Sequence, residues 1–271
     1  MNAKADRAGE IRAGIGGWTF EPWRGAFYPK GLAQARELQH ASRALTSIEI
    51  NGTYYSTQKP TSFRKWADET PDDFVFAVKA HRLATNRKVL AEAEPSIERF
   101  LTSGLSELKA KLGPILWQFA PYKKFEPEDF EAFLALLPKT LDGLKLRHAV
   151  EVRHESFVTP AFVALARKYG AAIVYAHHEK YPAIANVTAD FVYARLQQCA
   201  AKVETGYAPA AIKKWADCAR SSAQGKAPPS LPTAGKAAKP AKTDVFVYFI
   251  SGAKERAPAA ATALLKELGK R

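Results

Sequence analysis

Five ionisable side chains recur near the ends of short β-like runs: Glu49 in SIEIN, Lys79 in FVFAVKA, Glu151 and Arg153 in HAVEVR, and Arg195 in FVYARL. Each run also carries an alternating apolar set: Ile48 and Ile50, Phe76 and Val78, Val150 and Val152, Val192 and Ala194. A strand sends alternate side chains to opposite faces, so each run has one apolar face and one able to do chemistry. A buried lone charge is costly, so these groups must pair with one another or meet water and ligand. Three cations against two carboxylates leave one positive charge over. That favours an anionic substrate group, a phosphate or carboxylate held by Arg153 and Arg195. Glu151 and Glu49 are candidate general base and acid, with His154 assisting. Lys79 suits an anion clamp or a Schiff-base amine, and the clamp is the simpler reading. The plainer alternatives are a buried Glu151–Arg153 pair with no chemistry, and a His154 that only caps the turn HESFVTP. A metal could draw on Glu49, Glu151, His154 and His177. No HxH or HExxH spacing occurs, however, and Lys79 and Arg153 would oppose a cation. No metal site is assigned, and the cofactor is left open.

The elements that must position these residues alternate. β-like runs fall at 11–16, 47–51, 74–80, 114–119, 148–153, 171–176, 191–196 and 244–249. Helical spacing appears over 32–45, 95–112, 127–138, 160–169, 209–220 and 257–268, and is least convincing over 177–190. Alternating β and α units imply a parallel sheet, and eight of them match a single (β/α)8 TIM-type barrel of the α/β class. A doubly wound sheet is the alternative, but GIGGW is not GxGxxG and no P-loop pattern occurs. In a barrel the apolar faces pack outward on helices and the opposite parity lines the interior. Gly14, Gly16, Asn51, Ala77, Leu116, Gln118, Tyr193, Phe246 and Tyr248 then point inward beside the charged set. Strand six is ambiguous, and Tyr175 and His177 are assigned inward.

Residues 1–10 read as a flexible tail and 11–271 as the barrel domain. Within it, 221–243 is a basic, Pro/Ala/Lys-rich insertion expected to be disordered. The formal net charge of +13 over 271 residues favours anionic partners. A small anionic ligand is the first expectation and nucleic acid the second, although no helix-turn-helix, zinc or RNP-like motif occurs. No apolar run approaches the roughly 20 residues of a membrane span. Two cysteines without a CxxC pair and a polar opening MNAKADRAGE point to the cytoplasm and not to a disulfide framework. Oligomeric state is not specified by these features.

GIGGWTFEPWRGAFYP, SIEINGTYYSTQKPTSFRKWADETPDDFVFAVKAHR, GPILWQFAP, VEVRHESF and DVFVYF, in this order, resemble the YecE-like family (domain of unknown function 72). The likeness runs from about residue 11 to 268, outside the insertion. It implies a (β/α)8 barrel of unestablished activity, for which DNA-binding or nuclease-like roles have been suggested by structural analogy. Glu49, Asn51, Tyr54, Lys79, Gln118, Glu151, Arg153, His154 and Arg195 match its motif residues. Asn51, Tyr54, Gln118, Tyr193 and Tyr248 thus join Arg153 and Arg195 as the expected substrate lining. Two departures stand out. Gln197 and Gln198 follow Arg195–Leu196 where the family usually has histidine and glycine. Ile250 and Ser251 follow Phe249 where it usually has two asparagines. The expectation is an enzyme acting at the C-terminal mouth on a small anionic or phosphate-bearing substrate by general acid/base chemistry, as a hydrolase, isomerase or lyase. A nuclease-like or nucleic-acid-binding protein, and a degenerate barrel acting as a scaffold, are the alternatives.

Overall fold

In the computed structural model, which describes residues 8–270, eight parallel strands close into a barrel. They are β1 (Ile11–Gly16), β2 (Ser47–Ile50), β3 (Val75–Lys79), β4 (Leu112–Gln118), β5 (His148–Glu151), β6 (Ala172–His177), β7 (Phe191–Leu196) and β8 (Asp244–Phe249), with β8 pairing back onto β1. The helices are α1 (Glu37–Ala44), α2 (Pro60–Glu69), the single turn α3 (Arg82–Thr85), α4 (Glu94–Leu101), α5 (Pro127–Ala135), α6 (Pro160–Lys168), α7 (Pro209–Ala223) and α8 (Ala257–Glu267). Proline opens most of them, in the first turn where its missing N–H costs nothing. The helix α2 was not anticipated, and 95–112 divides into α4 and a 3₁₀ segment before β4.

The expected parity holds on seven strands. Outward residues join one large core with the helices, while Ala77, Leu116, Ala149, Phe246, Tyr193 and Tyr248 form a separate inner core. Gly14 is required here: a Cβ would come within 1.7 Å of the Ser47 carbonyl oxygen on β2. Strand six is a correction. Val174 points inward with Ala172, whereas Tyr175 and His177 face outward against Trp215 of α7.

The second correction concerns the insertion. No helix forms between β6 and β7. The apolar outer faces of those strands, Ile173, Tyr175, Val192 and Ala194, would otherwise meet water. Residues 221–223 complete α7, and the chain beyond them lies against this gap, placing Pro228 and Leu231 around an apolar cavity. Ala185 N donates to Pro232 O (2.8 Å), Ala234 N to Asn186 Oδ1 (2.7 Å) and Asn186 Nδ2 to Gly235 O (3.0 Å). The segment is thus placed by burial of its neighbours' surface, which its own composition does not reveal. Of the expected N-terminal tail, residues 1–7 lie outside the described residues, and Gly9 N donates to Ala223 O (2.8 Å).

Candidate active site at the barrel mouth

Parallel strands with one polar face deliver their last inward residues to the same end of the barrel. There Arg195 spans two carboxylates. Its Nε and Nη2 donate to Glu49 Oε2 and Oε1, both at 3.0 Å, and its Nη1 donates to Glu151 Oε2 at 2.6 Å. Arg153 Nε and Nη2 both reach Glu151 Oε1 at 2.8 Å. Gln118 Nε2 donates to Glu151 Oε2 (3.0 Å), which turns Gln118 Oε1 toward Lys79 Nζ (2.8 Å). The five charges picked out by spacing are therefore one connected network.

Within it the roles divide. Glu49 and Glu151 are fully buried, and Arg195 is 2% exposed. Burial pushes the Glu151 carboxyl up, but Arg195 and Arg153 override it and hold it down at about 2. With donors on both oxygens and so low a proton affinity, Glu151 is an orienting anion and a poor general base. Arg195 is buried and gives one hydrogen bond from each of its three nitrogens to a carboxylate. Lys79 is the cation left over. Burial, with Arg195 nearby, pulls its ammonium down to about 8, and its one hydrogen bond among the described residues is to a neutral amide. Its Nζ also lies 3.9 Å from the centre of the Tyr54 ring.

The remaining expected residues separate by depth. Tyr193 and Tyr248 are fully enclosed. The Tyr193 hydroxyl donates to Glu49 Oε2 (2.6 Å) and that of Tyr248 pairs with Ser47 Oγ (2.7 Å). Both are floor residues and not the substrate contacts expected of them. Asn51 is half-buried, its Nδ2 donating to the Glu49 carbonyl (3.3 Å). His154 Nδ1 accepts from Ser156 N (3.2 Å), the turn-capping role weighed against proton transfer. Of the two departures, Gln197 is buried with its Nε2 unpartnered. Ile250 packs on the inner core and lies over Gly16.

Two contributors escaped the sequence reading. Tyr181 places its ring 4.4 Å from the Arg153 guanidinium, and His178 stacks on Tyr181 with centroids 4.1 Å apart. Their three-residue spacing after β6 was the available signal, hidden by the wrong parity for that strand. Among the described residues no three His, Cys, Asp or Glu side chains gather as a metal-binding group. His177 instead pairs with Tyr207 on the outer wall.

A closed parallel barrel with a polar network at its C-terminal mouth is the architecture of a TIM barrel. The chain belongs to the family described as protein of unknown function DUF72, whose model matches residues 12–271. The UPF0759 protein YunF of Bacillus subtilis is 27% identical over 157 residues, 56% of this chain and 54% of that protein. The UPF0759 protein YecE of Escherichia coli K12 is 30% identical over 120 residues, 44% of this chain and 42% of that protein. The matched stretches thus span about half the length of each curated relative. Among solved structures, a DUF72 protein from Thermotoga maritima superposes with a TM-score of 0.70 at 22% identity, covering 97% of this chain and 100% of that one. SacUVDE superposes with a TM-score of 0.55 at 9% identity, covering 97% and 100%. At these identities the structural likenesses show the fold alone. No helix among the described residues is long and apolar enough to cross a membrane.

Proposed function

We propose that the barrel mouth is the active site of an enzyme acting on a small anionic, carboxylate- or phosphate-bearing substrate, with Lys79 as the group that binds the anion and moves the proton. The observation that carries this reading is the charge balance. Two arginines are matched by two glutamates, and the odd cation, Lys79, is buried with only a neutral partner. An incoming anion supplies the missing counter-charge. Arg153, partly exposed and lying on the Tyr181 ring, offers a second contact. An amine that titrates near 8 can give up a proton and recover it close to neutrality, which suits general acid/base work. Glu151 then acts by fixing Gln118 and, through it, the direction of Lys79.

The test is a thermal-shift panel of carboxylates, phosphate and phosphate esters on the wild type and on Lys79→Met and Arg153→Met. A ligand that binds only the folded protein raises its melting temperature. The reading expects a stabilising anion whose effect disappears in Lys79→Met. It fails if every stabilising anion acts equally on that variant.

Nucleic acid is the second reading, supported by the net charge of +13. It expects oligonucleotide affinity that falls steeply with salt, with a log–log slope near about −0.9 per phosphate neutralised.

A further inference from the structure

A groove of about 520 Å³ lies beside the mouth, between the loop after β2 and the start of α4, lined among others by Tyr55, His81, Arg87, Ser96 and Arg99. No carboxylate lines it. Arg82, set against the Tyr55 ring at 6.0 Å, adds a third guanidinium at its edge. None of these three arginines has an ion pair among the described residues. Among the described residues Arg87 makes a single side-chain hydrogen bond, from Nη2 to Ser96 Oγ at 2.8 Å. His81 Nδ1 accepts from Leu83 N (3.2 Å), which leaves Nε2 as the protonated, donating nitrogen. Donors therefore outnumber acceptors in a space lined by unneutralised cations.

Two touching rings lie between the groove and the mouth. Tyr54 lies under Lys79 Nζ, and Tyr55 meets Tyr54 edge-on with centroids 5.0 Å apart. We infer that this groove is a second anion subsite taking a phosphate group, so that the substrate is a small phosphate ester with two anionic ends, one on Lys79 and one on Arg87 and Arg99. The inference rests on the mouth reading for the first end and on the groove alone for the second. A small ester fits better than a nucleic-acid strand. The groove holds a compact set of donors, enough for one phosphate, and strand-binding surfaces need cations tracking a longer backbone. Tyr55, 69% exposed, offers a flat apolar wall to the carbon skeleton between the two ends.

The experiment is equilibrium dialysis with inorganic phosphate on the wild type, Lys79→Met, Arg99→Met and the Arg87→Met/Arg99→Met pair. Arg99 is exposed, so its single replacement keeps the test valid if the double variant misfolds. Two phosphates per chain are expected on the wild type. One of them should weaken about tenfold in Arg99→Met, the value of one charge-assisted hydrogen bond, and vanish in the double variant. Lys79→Met should lose the other. Loss in the arginine variants with no change in Lys79→Met would sink the mouth reading and leave the groove standing. Unchanged stoichiometry and affinity in the arginine variants would overturn the groove. So would displacement of the groove phosphate by a single-stranded oligonucleotide but not by a small bisphosphate.

Discussion

The two sides of the barrel mouth handle the same kind of charge in opposite ways. On the side of β1, β2, β7 and β8, Arg195 is locked onto Glu49 and reaches across to Glu151 of β5, Tyr193 caps the Glu49 carboxylate from below and Ile250 lies above Gly16. On the side of β3, β4 and β5, Lys79 hydrogen-bonds, among the described residues, to Gln118 alone, Arg153 keeps a face toward Tyr181, and Tyr54, from the loop after β2, lies half-buried under Lys79. One side is complete without a ligand and the other is not. A buried, fully matched ion pair holds a structure in register, whereas a buried cation facing a neutral amide lacks its counter-ion. The contrast locates ligand chemistry on the β3–β5 side, and it also limits what Glu49 and Arg195 contribute to direct substrate contact.

The strongest way to break this contrast is Arg195→Met. It leaves the buried Glu49 carboxylate without a cation and takes one of two from Glu151, and the expected loss is about 3–5 kcal/mol in urea unfolding. A loss below about 1 kcal/mol would mean that the locked side is not holding the barrel. Glu151→Gln comes next. The Glu151 pKa is depressed, so its stabilisation is complete above the ordinary value of 4.5 and is lost as pH falls through about 2. The variant should be less stable by about 3 kcal/mol at pH 7, with the deficit closing between pH 4.5 and 2.

Lys79 has the opposite sign. Its pKa is lowered on folding, so between about 8 and 10.5 the unfolded chain binds more protons and native stability rises with pH. Relative to Lys79→Met, the wild type should gain up to about 3 kcal/mol over that window, and the two should differ little below it in slope. A flat difference from pH 7 to 10.5 would show that Lys79 is not a strained cation. The smallest effect belongs to His154→Ala, which removes a turn cap. It should cost about 0.5–1.5 kcal/mol and leave the Lys79 titration unmoved. A shifted Lys79 titration would return His154 to the proton-transfer chemistry.

The alternation of apolar and polar residues along VFAVK, HAVEV and FVYARL, in a chain of eight β-like runs with helical spacing between most of them, already points to a closed parallel barrel and sends Glu49, Lys79, Glu151, Arg153 and Arg195 to its interior. Strand periodicity is local physics, so it can be read without coordinates. Strand six failed because AIVYAH is apolar on both parities, and the choice between Val174 and Tyr175 depends on α7 supplying Trp215. The 221–243 segment failed for a related reason. Its composition has no drive to order, yet a helix is missing between β6 and β7, and the surface exposed there places it. Most of all, the pairing within the network was tertiary. The sequence alone determines that one positive charge is left over. Only the geometry, by setting Arg195 between Glu49 and Glu151 and Gln118 between Glu151 and Lys79, decides that the odd charge is Lys79. Hydrogen bonds need donor and acceptor held to within a few tenths of an ångström on strands far apart in the chain, which residue spacing does not specify.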